Sequence, residues 1–350
     1  AQWNALKFFN HEGEFFNQRQ FNALESTLSK RKFAYQEHDN LGMLIEDFRW
    51  MDKHIRATTK LPGVSDRAVK RRKFRVVVDA VNGAGSYALP ELAERLGCKV
   101  FRLNCEQTGI FPRTPEPTAE NLKALGRAVK RHKADLGLAC DPDADRLALV
   151  DENGKAIGEE LTLAIAIEQV LSVTKTNVAI NLSTSRATAD VARRSGASVF
   201  LSRVGEANVV AEMKKRGALI GGEGNGGVIY GAFHYGRDSL VGAALVLSAL
   251  IRTKSTLSEL AGTIPRYYTT KSKAALPGDF DSQLKRLEKA MKAERPGLKV
   301  DRRDGIRFDF DEGWLLIRKS NTEPIYRLVV ETTEPKLSAD LHKKTKKYFT

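Results

Sequence analysis

The sequence is organised around residues 136–151, LGLACDPDADRLALVD, in which two apolar runs flank a short acidic turn. The apolar runs predict two β-strands, and the turn between them carries Asp141, Asp143 and Asp145 on alternate residues. Because alternate residues of an extended segment point the same way, we expect the three carboxylates to converge. Converging negative charges repel one another unless a hard cation lies among them, and oxygen-only ligands suit Mg²⁺ best. We therefore predict a divalent metal site in this acidic turn (residues 141–146).

A calcium-binding EF-hand loop has nearly the same spacing, with Asp141 at its first position and Glu152 at its twelfth. This interpretation is rejected because Arg146 stands at the sixth position, where that loop requires glycine. The flanking runs are also strand-like rather than helical. One alternative stays open on this stretch alone, namely a solvated acidic turn that binds nothing.

Composition places the chain among ordinary folded proteins. Its 350 residues, 42% of them hydrophobic and 29% charged, are enough for about two to four domains. The net charge of +14 is compatible with nucleic acid, a membrane surface or an anionic small molecule as partner. Lysine and arginine are spread along the chain, with clusters only at residues 70–73 and 343–347. We therefore predict solvated helix ends or linkers there and no nucleic-acid partner.

The cysteine pattern and the hydropathy restrict the cellular setting. Cys98, Cys105 and Cys140 form no C-x-x-C pair, and an odd number of cysteines argues against a disulfide framework. This predicts a reduced, cytoplasmic setting. No apolar run reaches about 18 residues and no signal-peptide pattern opens the chain, so no membrane partner is expected.

Strands and helices alternate along most of the chain, which predicts an α/β fold. Two consecutive blocks, residues 61–158 and 159–264, repeat the same alternation and indicate duplicated domains. Residues 265–350 differ and predict a small α+β domain that ends in a basic helix.

Residues 1–60 are predicted to hold too little apolar surface for a core of their own. A hairpin is expected at residues 3–16, followed by two amphipathic segments. The second of these segments would run through Leu44, Phe48 and Ile55.

A glycine turn at residues 82–85 follows the predicted strand 74–79. It lies at the carboxyl end of that strand, where α/β sheets place ligands. Its spacing is not the G-x-G-x-x-G fingerprint, so nicotinamide binding is not expected.

Residues 221–227, GGEGNGG, form a glycine-rich turn that frames one carboxylate and one amide. Glycines let the backbone approach a ligand closely, and Glu223 and Asn225 can accept and donate hydrogen bonds as a polyol requires. No Lys-Ser/Thr of a P-loop follows, so phosphate cradling is not favoured here. Downstream, Arg237 could meet a phosphate or pair with an acid, and His234 fits a structural role as well as a functional one.

Residues 318–327, RKSNTEPIYR, form an arginine loop between two predicted strands. Its side chains offer two guanidiniums, two hydroxyls and a turn-forming amide, and such donors match the oxygens of a phosphate. The donors are Arg318, Ser320, Asn321, Thr322 and Arg327. An ordinary hairpin turn with surface arginines is the alternative that this loop alone leaves open.

A metal-binding turn, a polyol-binding turn and a phosphate-binding loop on successive domains indicate a phosphorylated sugar and phosphoryl transfer. In this order they closely resemble the loops of the α-D-phosphohexomutase superfamily, which includes phosphoglucosamine mutases, phosphomannomutases and phosphoglucomutases. The metal, sugar and phosphate loops of that family are similar to residues 141–146, 222–226 and 318–324. Its second domain is similar to residues 74–85 and 115–122.

The resemblance implies four domains around a central cleft, with tandem α/β domains of mixed sheets and a C-terminal α+β domain. The implied bounds are 1–60 for the end of domain 1, 61–158 for metal-binding domain 2, 159–264 for sugar-binding domain 3 and 265–350 for phosphate-binding domain 4. It also implies a reaction that moves a phosphoryl group between C1 and C6 of a hexose through a phosphoserine. Mg²⁺ is the implied cofactor, a hexose 1,6-bisphosphate the intermediate and activator, and a monomer or homodimer the expected assembly.

The resemblance assigns a role to each candidate residue. The three aspartates of the acidic turn would hold Mg²⁺, Arg146 would contact the phosphoserine, and Lys7 would lie near the reacting phosphate. Glu223 and Asn225 would bind sugar hydroxyls, and Arg237 would belong to the substrate-binding residues. The five donors of the arginine loop would clamp the phosphate that does not react.

The sequence departs from the family pattern at its start. The family's serine loop ends in Ser-His-Asn-Pro before a segment that resembles residues 3–7, so the phosphoserine is expected upstream of Ala1. The 350 residues are therefore expected to be a fragment that cannot complete turnover.

Smaller differences bear on the substrate. Glu206 resembles phosphoglucosamine mutases at its position, and a carboxylate there could suit the cation of an amino sugar. This favours glucosamine phosphate over mannose or glucose phosphate as the substrate. A non-catalytic phosphosugar-binding protein is the alternative from another functional class.

Overall fold

The computed structural model describes residues 6–31, 33–47, 49–320 and 323–349, which contain three β-sheets surrounded by helices. The helices are α1 Gln18–Ser29, α2 Arg49–Thr58, α3 Asp66–Arg72, α4 Gly85–Arg95, α5 Lys123–His132, α6 Glu159–Leu171, α7 Arg186–Arg194, α8 Glu206–Arg216, α9 Ser239–Thr253, α10 Leu257–Gly262, α11 Phe280–Glu294 and α12 Pro335–Lys346. The strands are β1 Arg75–Asp79, β2 Lys99–Leu103, β3 Leu136–Cys140, β4 Leu147–Val150, β5 Asn177–Asn181, β6 Val199–Ser202, β7 Ala218–Glu223, β8 Gly227–Tyr230, β9 Tyr268–Ala275, β10 Lys299–Asp301, β11 Ile306–Phe310, β12 Gly313–Lys319 and β13 Ile325–Thr332. None of the described helices is long and apolar enough to cross a membrane.

The first two sheets share one topology. Their strand orders are β2-β1-β3-β4 and β6-β5-β7-β8, each with three parallel strands and an antiparallel fourth. All residues of β3 and β4 are buried, as expected of strands that helices cover on both faces. The acidic turn joins β3 to β4, and the glycine-rich turn joins β7 to β8. Both turns therefore occupy the same place in two similar sheets.

The third sheet is antiparallel, with strand order β10-β11-β12-β13-β9. One face packs on α11 and α12 through contacts such as those of Phe308 with Leu287 and Leu341. The other face carries Trp314 and packs on Leu182 of the second block. The fold class predicted from the sequence, tandem α/β units with mixed sheets and a C-terminal α+β unit, is confirmed.

Helix α9 holds the first two blocks together. Twelve of its residues are buried, and a helix that is apolar all round belongs inside a core. Ala243 and Leu247 pack in one cluster with Leu147 and Leu149 of β4, while Leu245 belongs to the core of the second sheet. The acidic turn and the glycine-rich turn are thus fixed relative to each other.

The hairpin predicted near the start of the chain is present in part. Phe9 and Phe15 form an isolated antiparallel bridge, and their rings stack with centroids 4.6 Å apart. Residues 3–5 of that prediction lie outside the described residues. Helix α1 follows, begun by a capping box at Asn17, and buries none of its residues.

The amphipathic segment predicted through Leu44 is wrong over its first half. Residues 41–47 are not helical, and the Leu44 side chain is 89% exposed. The helix of this region, α2, begins after Phe48, a residue that lies outside the described residues. Apolar spacing stabilises a helix chiefly by packing its apolar face, and the side chains of residues 41–47 remain in solvent.

Candidate active site

The backbone of the acidic turn is held by its own first carboxylate and by α9. Asp141 Oδ1 accepts the backbone N–H of Asp145 and of Arg146, each at 3.1 Å. Ala144 has a left-handed φ of 60°, and its carbonyl accepts the Ser239 hydroxyl at 2.7 Å. A left-handed residue with a Cβ costs roughly 1–2 kcal/mol. The surrounding contacts therefore hold this turn in a shape that the chain would not adopt unaided.

Ligand oxygens of Asp141, Asp143 and Asp145 lie within 4.8 Å of one another. Lys7 forms an ion pair with Asp143, and its Nζ lies 3.3 Å from Asp145 Oδ2. Asp145 Oδ1 is buried and has no hydrogen-bond partner among the described residues. Arg146 Nε lies 3.4 Å from Asp141 Oδ2 and also lacks a hydrogen bond within that part of the chain.

The electrostatics of the turn favour a bound cation. Burial raises the pKa of Asp141 to about 7, with the charges of Asp145 and Asp143 acting in the same direction and Arg146 opposing them. Burial also acts upward on the pKa of Asp143, but the Lys7 ammonium outweighs it and lowers that pKa. The donors are all oxygens, and one of them, Asp145 Oδ1, is buried without a hydrogen-bond donor among the described residues, so the residues fit Mg²⁺.

Residues 82–85 support the acidic turn. The Ala84 N–H donates to the Pro142 carbonyl at 2.7 Å, and a Cβ at Gly83 would lie 2.4 Å from that carbonyl oxygen. This glycine turn lies at the carboxyl end of a strand, where α/β sheets place ligands. The structure instead fills the space with the backbone of the acidic turn, because glycine allows the two turns to approach closely.

A buried ion pair that sequence reasoning missed lies beneath the acidic turn. Asp79 is fully buried and accepts a hydrogen bond from Arg113 Nε at 2.9 Å. Arg113 also donates to the Cys140 carbonyl at 3.3 Å, at the residue that precedes the turn. Asp79 and Arg113 stand 34 residues apart, and only the fold brings them together.

The glycine-rich turn touches the acidic turn at its edge. The Leu147 N–H donates to the Gly226 carbonyl at 3.0 Å. Gly226 has a φ of 88°, and a Cβ there would lie 2.3 Å from the Leu147 carbonyl oxygen, so this position requires glycine. Asn225 Oδ1 accepts the Gly227 N–H at 3.2 Å, and its side-chain N–H₂ has no partner among the described residues.

Arg237 links the two turns. Its guanidinium donates to Asp145 Oδ2 at 2.7 Å, to Glu206 Oε2 at 2.8 Å and to Glu223 Oε2 at 2.7 Å. Burial acts to lower the pKa of Arg237, but the three carboxylates, Glu223 foremost, raise it well above its usual value. Of the two partners that the sequence left open, a phosphate or an acid, the structure shows the acid three times. We call these four residues the Arg237 cluster.

Two carboxylates of the Arg237 cluster are satisfied by protein groups. Glu223 Oε1 accepts the Asn181 side-chain amide at 2.7 Å and the Gly205 N–H at 3.0 Å. Glu206 is 9% exposed, and burial raises its pKa while the Arg237 charge opposes that rise. Glu206 was expected to suit the cation of an amino sugar, and here it faces a guanidinium of the protein instead.

The glycine-rich turn and the arginine loop face one cavity of about 190 Å³. Glu223 and Asn225 line it from the second block, and Arg318 and Arg327 line it from the third sheet. Burial lowers the pKa of Arg318, with Arg327 adding to that effect and Asp304 opposing it. Two guanidiniums beside sugar-compatible groups make the cavity suitable for an anionic sugar derivative.

The middle of the arginine loop is described only in part. The Ser320 N–H donates to the Ile325 carbonyl at 2.8 Å, which closes the loop between β12 and β13. Asn321 and Thr322, predicted to contact phosphate, lie outside the described residues.

Sequence reasoning missed Lys271 and Glu160, which also line the cavity. Lys271 Nζ lies 3.3 Å from Glu160 Oε1 and 3.4 Å from Glu159 Oε1. Burial raises the pKa of Glu160 to about 7, against the charge of Lys271. The available signal was the acid pair that opens α6, but acids are common in the first turn of any helix.

Comparison with known families identifies the chain. Family models described as phosphoglucomutase/phosphomannomutase match residues 52–154 (alpha/beta/alpha domain II), 158–268 (alpha/beta/alpha domain III) and 281–346 (C-terminal domain). The chain belongs to the α-D-phosphohexomutase superfamily. The resemblance stated from the sequence is thereby confirmed, as is the enzyme class, since the homologues are mutases.

Curated phosphohexomutases are similar over almost the whole chain. A phosphoglucomutase/phosphomannomutase from Thermococcus kodakarensis is 36% identical over 333 residues, covering 94% of this chain and 72% of the relative. A protein named "Probable phosphoglucosamine mutase" from Methanopyrus kandleri is 32% identical over 342 residues, covering 97% and 74%.

Solved phosphohexomutase structures show the same fold. A phosphoglucomutase/phosphomannomutase family protein from Burkholderia thailandensis has a TM-score of 0.80 at 25% identity, covering 95% of this chain and 70% of that one. The N-acetylphosphoglucosamine mutase of Aspergillus fumigatus was solved in complex with GlcNAc-6P and magnesium. It has a TM-score of 0.60 at 15% identity, covering 83% and 64%, and its likeness shows the fold alone.

Proposed function

We propose that the protein is a phosphohexomutase that interconverts hexose 6-phosphate and hexose 1-phosphate through a phosphoserine and a hexose 1,6-bisphosphate. Glucosamine phosphate is the proposed preferred substrate. The observation that carries the proposal is the junction of three sites. Leu147, which directly follows the acidic turn, is hydrogen-bonded to the glycine-rich turn, and the glycine-rich turn shares a cavity with the arginine loop. A bisphosphorylated hexose needs contacts of these three kinds at once.

The acidic turn would serve the reacting phosphate. Asp141, Asp143 and Asp145 would hold Mg²⁺, which when bound neutralises charge on that phosphate. Lys7, which forms ion pairs with Asp143 and Asp145, would donate hydrogen bonds from its ammonium to the same phosphate. Arg146 Nε, without a hydrogen bond among the described residues, would donate to the phosphoserine. Positioning and charge neutralisation dominate phosphoryl transfer, so these cationic groups would carry most of the catalysis.

The cavity would bind the remainder of the substrate. Asn225 has a side-chain N–H₂ to donate to a sugar hydroxyl, and Glu223 would accept a further hydrogen bond. Arg318, Arg327 and Lys271 would hold the phosphate that does not react. Because a single phosphoserine would exchange its phosphoryl group with both C1 and C6, the bisphosphate intermediate must present each of these carbons to it in turn. The cationic side of the cavity must therefore accept a phosphate from either end of the hexose.

The substrate preference rests on a carboxylate that faces the cavity. Glu206 is occupied by Arg237, but Glu160 lines the cavity and could receive the ammonium of an amino sugar. Relatives with both kinds of name match this chain. A direct comparison of substrates is therefore the informative test.

The test is a coupled mutase assay of the full-length protein, meaning the chain together with the serine loop that is expected upstream of Ala1. The substrates are glucosamine, mannose and glucose 6-phosphates, with a bisphosphate activator. We expect the highest kcat/KM for glucosamine 6-phosphate. Arg327→Ala should lower kcat/KM about 10- to 100-fold, because it removes a charged hydrogen-bond donor. The control is Arg286→Ala, which removes an exposed arginine of the same region that pairs with Asp279 at 3.6 Å.

Two results would contradict the proposal. Equal rates for Arg327→Ala and Arg286→Ala would remove the phosphate assignment of the arginine loop. Binding of hexose 1,6-bisphosphate without turnover by the full-length protein would favour the alternative, a non-catalytic phosphosugar-binding protein.

A further inference from the structure

Two histidines and an aspartate from two segments of the chain meet beside the Arg237 cluster. His54 lies on α2, His234 lies between β8 and α9, and Asp238 is the N-cap of α9. The Nε2 atoms of His54 and His234 lie 2.7 and 2.9 Å from the same oxygen, Asp238 Oδ2. Ligand atoms of the three side chains all lie within 4.8 Å of one another. We call these three residues the histidine cluster.

The carboxylate of the histidine cluster is held in place by the helix that it caps. Asp238 Oδ1 accepts the N–H groups of Leu240 at 2.7 Å and Val241 at 3.1 Å. This leaves Oδ2 for the two imidazoles. Hydrogen bonds that fix the free atom of a ligand are a regular feature of metal sites, because they orient the ligating atom.

The two rings are supported on one side and open on the other. The Phe233 ring lies with its centroid 4.9 Å from those of both His54 and His234. The side chains of the two histidines remain 33% and 37% exposed. Solvent therefore reaches part of each ring, while the shared carboxylate of Asp238 is buried.

We propose that the histidine cluster binds a divalent transition-metal ion of the Zn²⁺ type. Two imidazole nitrogens and one carboxylate oxygen are a donor set that suits Zn²⁺ and its neighbours, whereas Mg²⁺ prefers oxygen alone. Three protein ligands leave one or more positions for water. The chemistry of this site thus differs from that of the acidic turn.

The observed distances suit such an ion after small shifts. Ligands bonded to one metal at about 2.0–2.1 Å are about 2.9 Å apart at a right angle and about 3.3 Å apart at a tetrahedral angle. The observed separations of 2.7 and 2.9 Å from Asp238 Oδ2 are hydrogen-bond lengths, so the ligands would have to move apart by about 0.5 Å to reach the tetrahedral value. Without the ion, each Nε2 carries the proton that Asp238 Oδ2 accepts. On binding, a neutral ring therefore moves its proton from Nε2 to Nδ1 by exchange with solvent, an imidazolium ring releases its Nε2 proton, and both offer the Nε2 lone pair.

An ion there would connect α2 to the segment that carries Arg237. Asp238 follows Arg237 directly, and Arg237 holds Asp145 and Glu223. Binding is therefore expected to stabilise the contact of α2 with the second block and the position of the Arg237 cluster. The ion would therefore have a structural role, holding α2 against the segment that precedes α9.

The test titrates the chelator-treated full-length protein with Zn²⁺ and, separately, with Co²⁺, each in the presence of Mg²⁺. The titrations are repeated with Asp143→Ala, which removes one proposed ligand of the acidic turn. We expect one bound equivalent in both proteins, visible Co²⁺ absorption typical of nitrogen ligands, and a higher Tm with Zn²⁺. His234→Ala should weaken binding by at least about 100-fold. The matched control is His342→Ala, which removes a partly buried histidine that contacts Ser272 Oγ at 2.8 Å.

A second variant separates metal binding from folding. Asp238→Asn keeps a side-chain oxygen that can cap α9 but replaces the carboxylate oxygen between the histidines by an N–H₂ group. It should lower the Tm of the metal-free protein, because the two imidazoles lose their shared acceptor, but Zn²⁺ should then add no further increase in Tm. If the wild type binds no ion more tightly than His234→Ala and Asp238→Asn, the proposal is overturned and the histidine cluster is a hydrogen-bonded contact only.

Discussion

The acidic turn and the glycine-rich turn occupy equivalent places in two sheets of the same topology, yet their carboxylates are satisfied in opposite ways. Glu223 of the glycine-rich turn accepts hydrogen bonds from Asn181, Gly205 and Arg237. Asp145 of the acidic turn keeps one buried oxygen that accepts no hydrogen bond from the described residues and has only the Arg146 guanidinium, at 3.7 Å, beside it. Because buried polar groups are normally hydrogen-bonded, the difference indicates that a ligand completes the first turn and the protein completes the second.

Removing a carboxylate from the acidic turn should have the largest effect, and it tests whether a ligand completes that turn. Asp143→Ala should lower the kcat/KM of the full-length protein by about 10³-fold, the scale on which one preorganised electrostatic group acts. The coupled mutase assay measures the loss. Asp340→Ala, at an exposed acid of α12, is the control and should keep the full rate. A retained rate for Asp143→Ala would count against the metal assignment.

Removing Arg237 tests the opposite claim, that the glycine-rich turn is completed by the protein. Arg237→Met leaves two buried carboxylates, Glu206 and Glu223, and the partly buried Asp145 without this cation, and it should lower the free energy of unfolding by about 3–5 kcal/mol. Calorimetry of the full-length protein measures this loss. Arg216→Met is the control, because Arg216 pairs with one carboxylate at 2.9 Å and is 41% exposed. If both variants are equally stable, the Arg237 cluster does not brace the turns.

Protein stability measured as a function of pH tests Glu160, a carboxyl group beside the glycine-rich turn. The Glu160 carboxylate lies so close to Gly224 that a Cβ there would overlap it. Burial raises its pKa from 4.5 to about 7, so the folded chain holds the proton more tightly than the unfolded chain does. Its contribution to stability is full below pH 4.5 and is lost as pH rises to about 7.

Glu160→Gln lacks this proton and should not lose stability over that range. From pH 5 to pH 8, its free energy of unfolding relative to wild type should increase by up to about 3 kcal/mol. Calorimetry at the two pH values measures the change. Glu159→Gln removes the other carboxylate near Lys271 and controls for that ion pair. A constant difference between Glu160→Gln and wild type would show that the Glu160 carboxyl is effectively solvated.

The sequence could predict the acidic turn, the glycine-rich turn and the arginine loop because each carries its chemistry in a few consecutive residues. It could not predict the partners of Arg237, since Asp145 and Glu206 stand 92 and 31 residues away. Asp79 and Arg113 were missed for the same reason. Contacts between distant residues are set by the fold, and a local pattern does not contain them.

The fold was predictable where buried strands and helices alternate, and less so at the edges. Strand β8 was not predicted, because it is short and follows a run of glycines that disfavour strands. Leu44 was placed in an amphipathic segment because its spacing fits one, yet that spacing carries no information on whether a surface exists to cover the apolar face. Local periodicity identifies an element best when the element is long and buried.

The smallest expected effect comes from replacing one of two glycines by alanine. These variants test whether the contact between the glycine-rich turn and the residue after the acidic turn positions both turns. Gly217 and Gly226 have positive φ angles of 60° and 88°. A Cβ at Gly217 meets nothing within 4 Å, whereas a Cβ at Gly226 would lie 2.3 Å from the Leu147 carbonyl oxygen. Gly217→Ala should therefore cost only about 1 kcal/mol of stability, from its left-handed backbone.

Gly226→Ala should cost about 2 kcal/mol more than Gly217→Ala, because the added carbon overpacks the contact between the turns. It should also lower kcat/KM, since it would separate the acidic turn from the glycine-rich turn at the Leu147 N–H to Gly226 carbonyl hydrogen bond. Calorimetry and the mutase assay measure the two effects, and Gly217→Ala should leave the rate unchanged. Equal stability and equal rates for both variants would mean that the turns are merely adjacent, and that the geometry of Asp141, Asp143 and Asp145 does not depend on the glycine-rich turn.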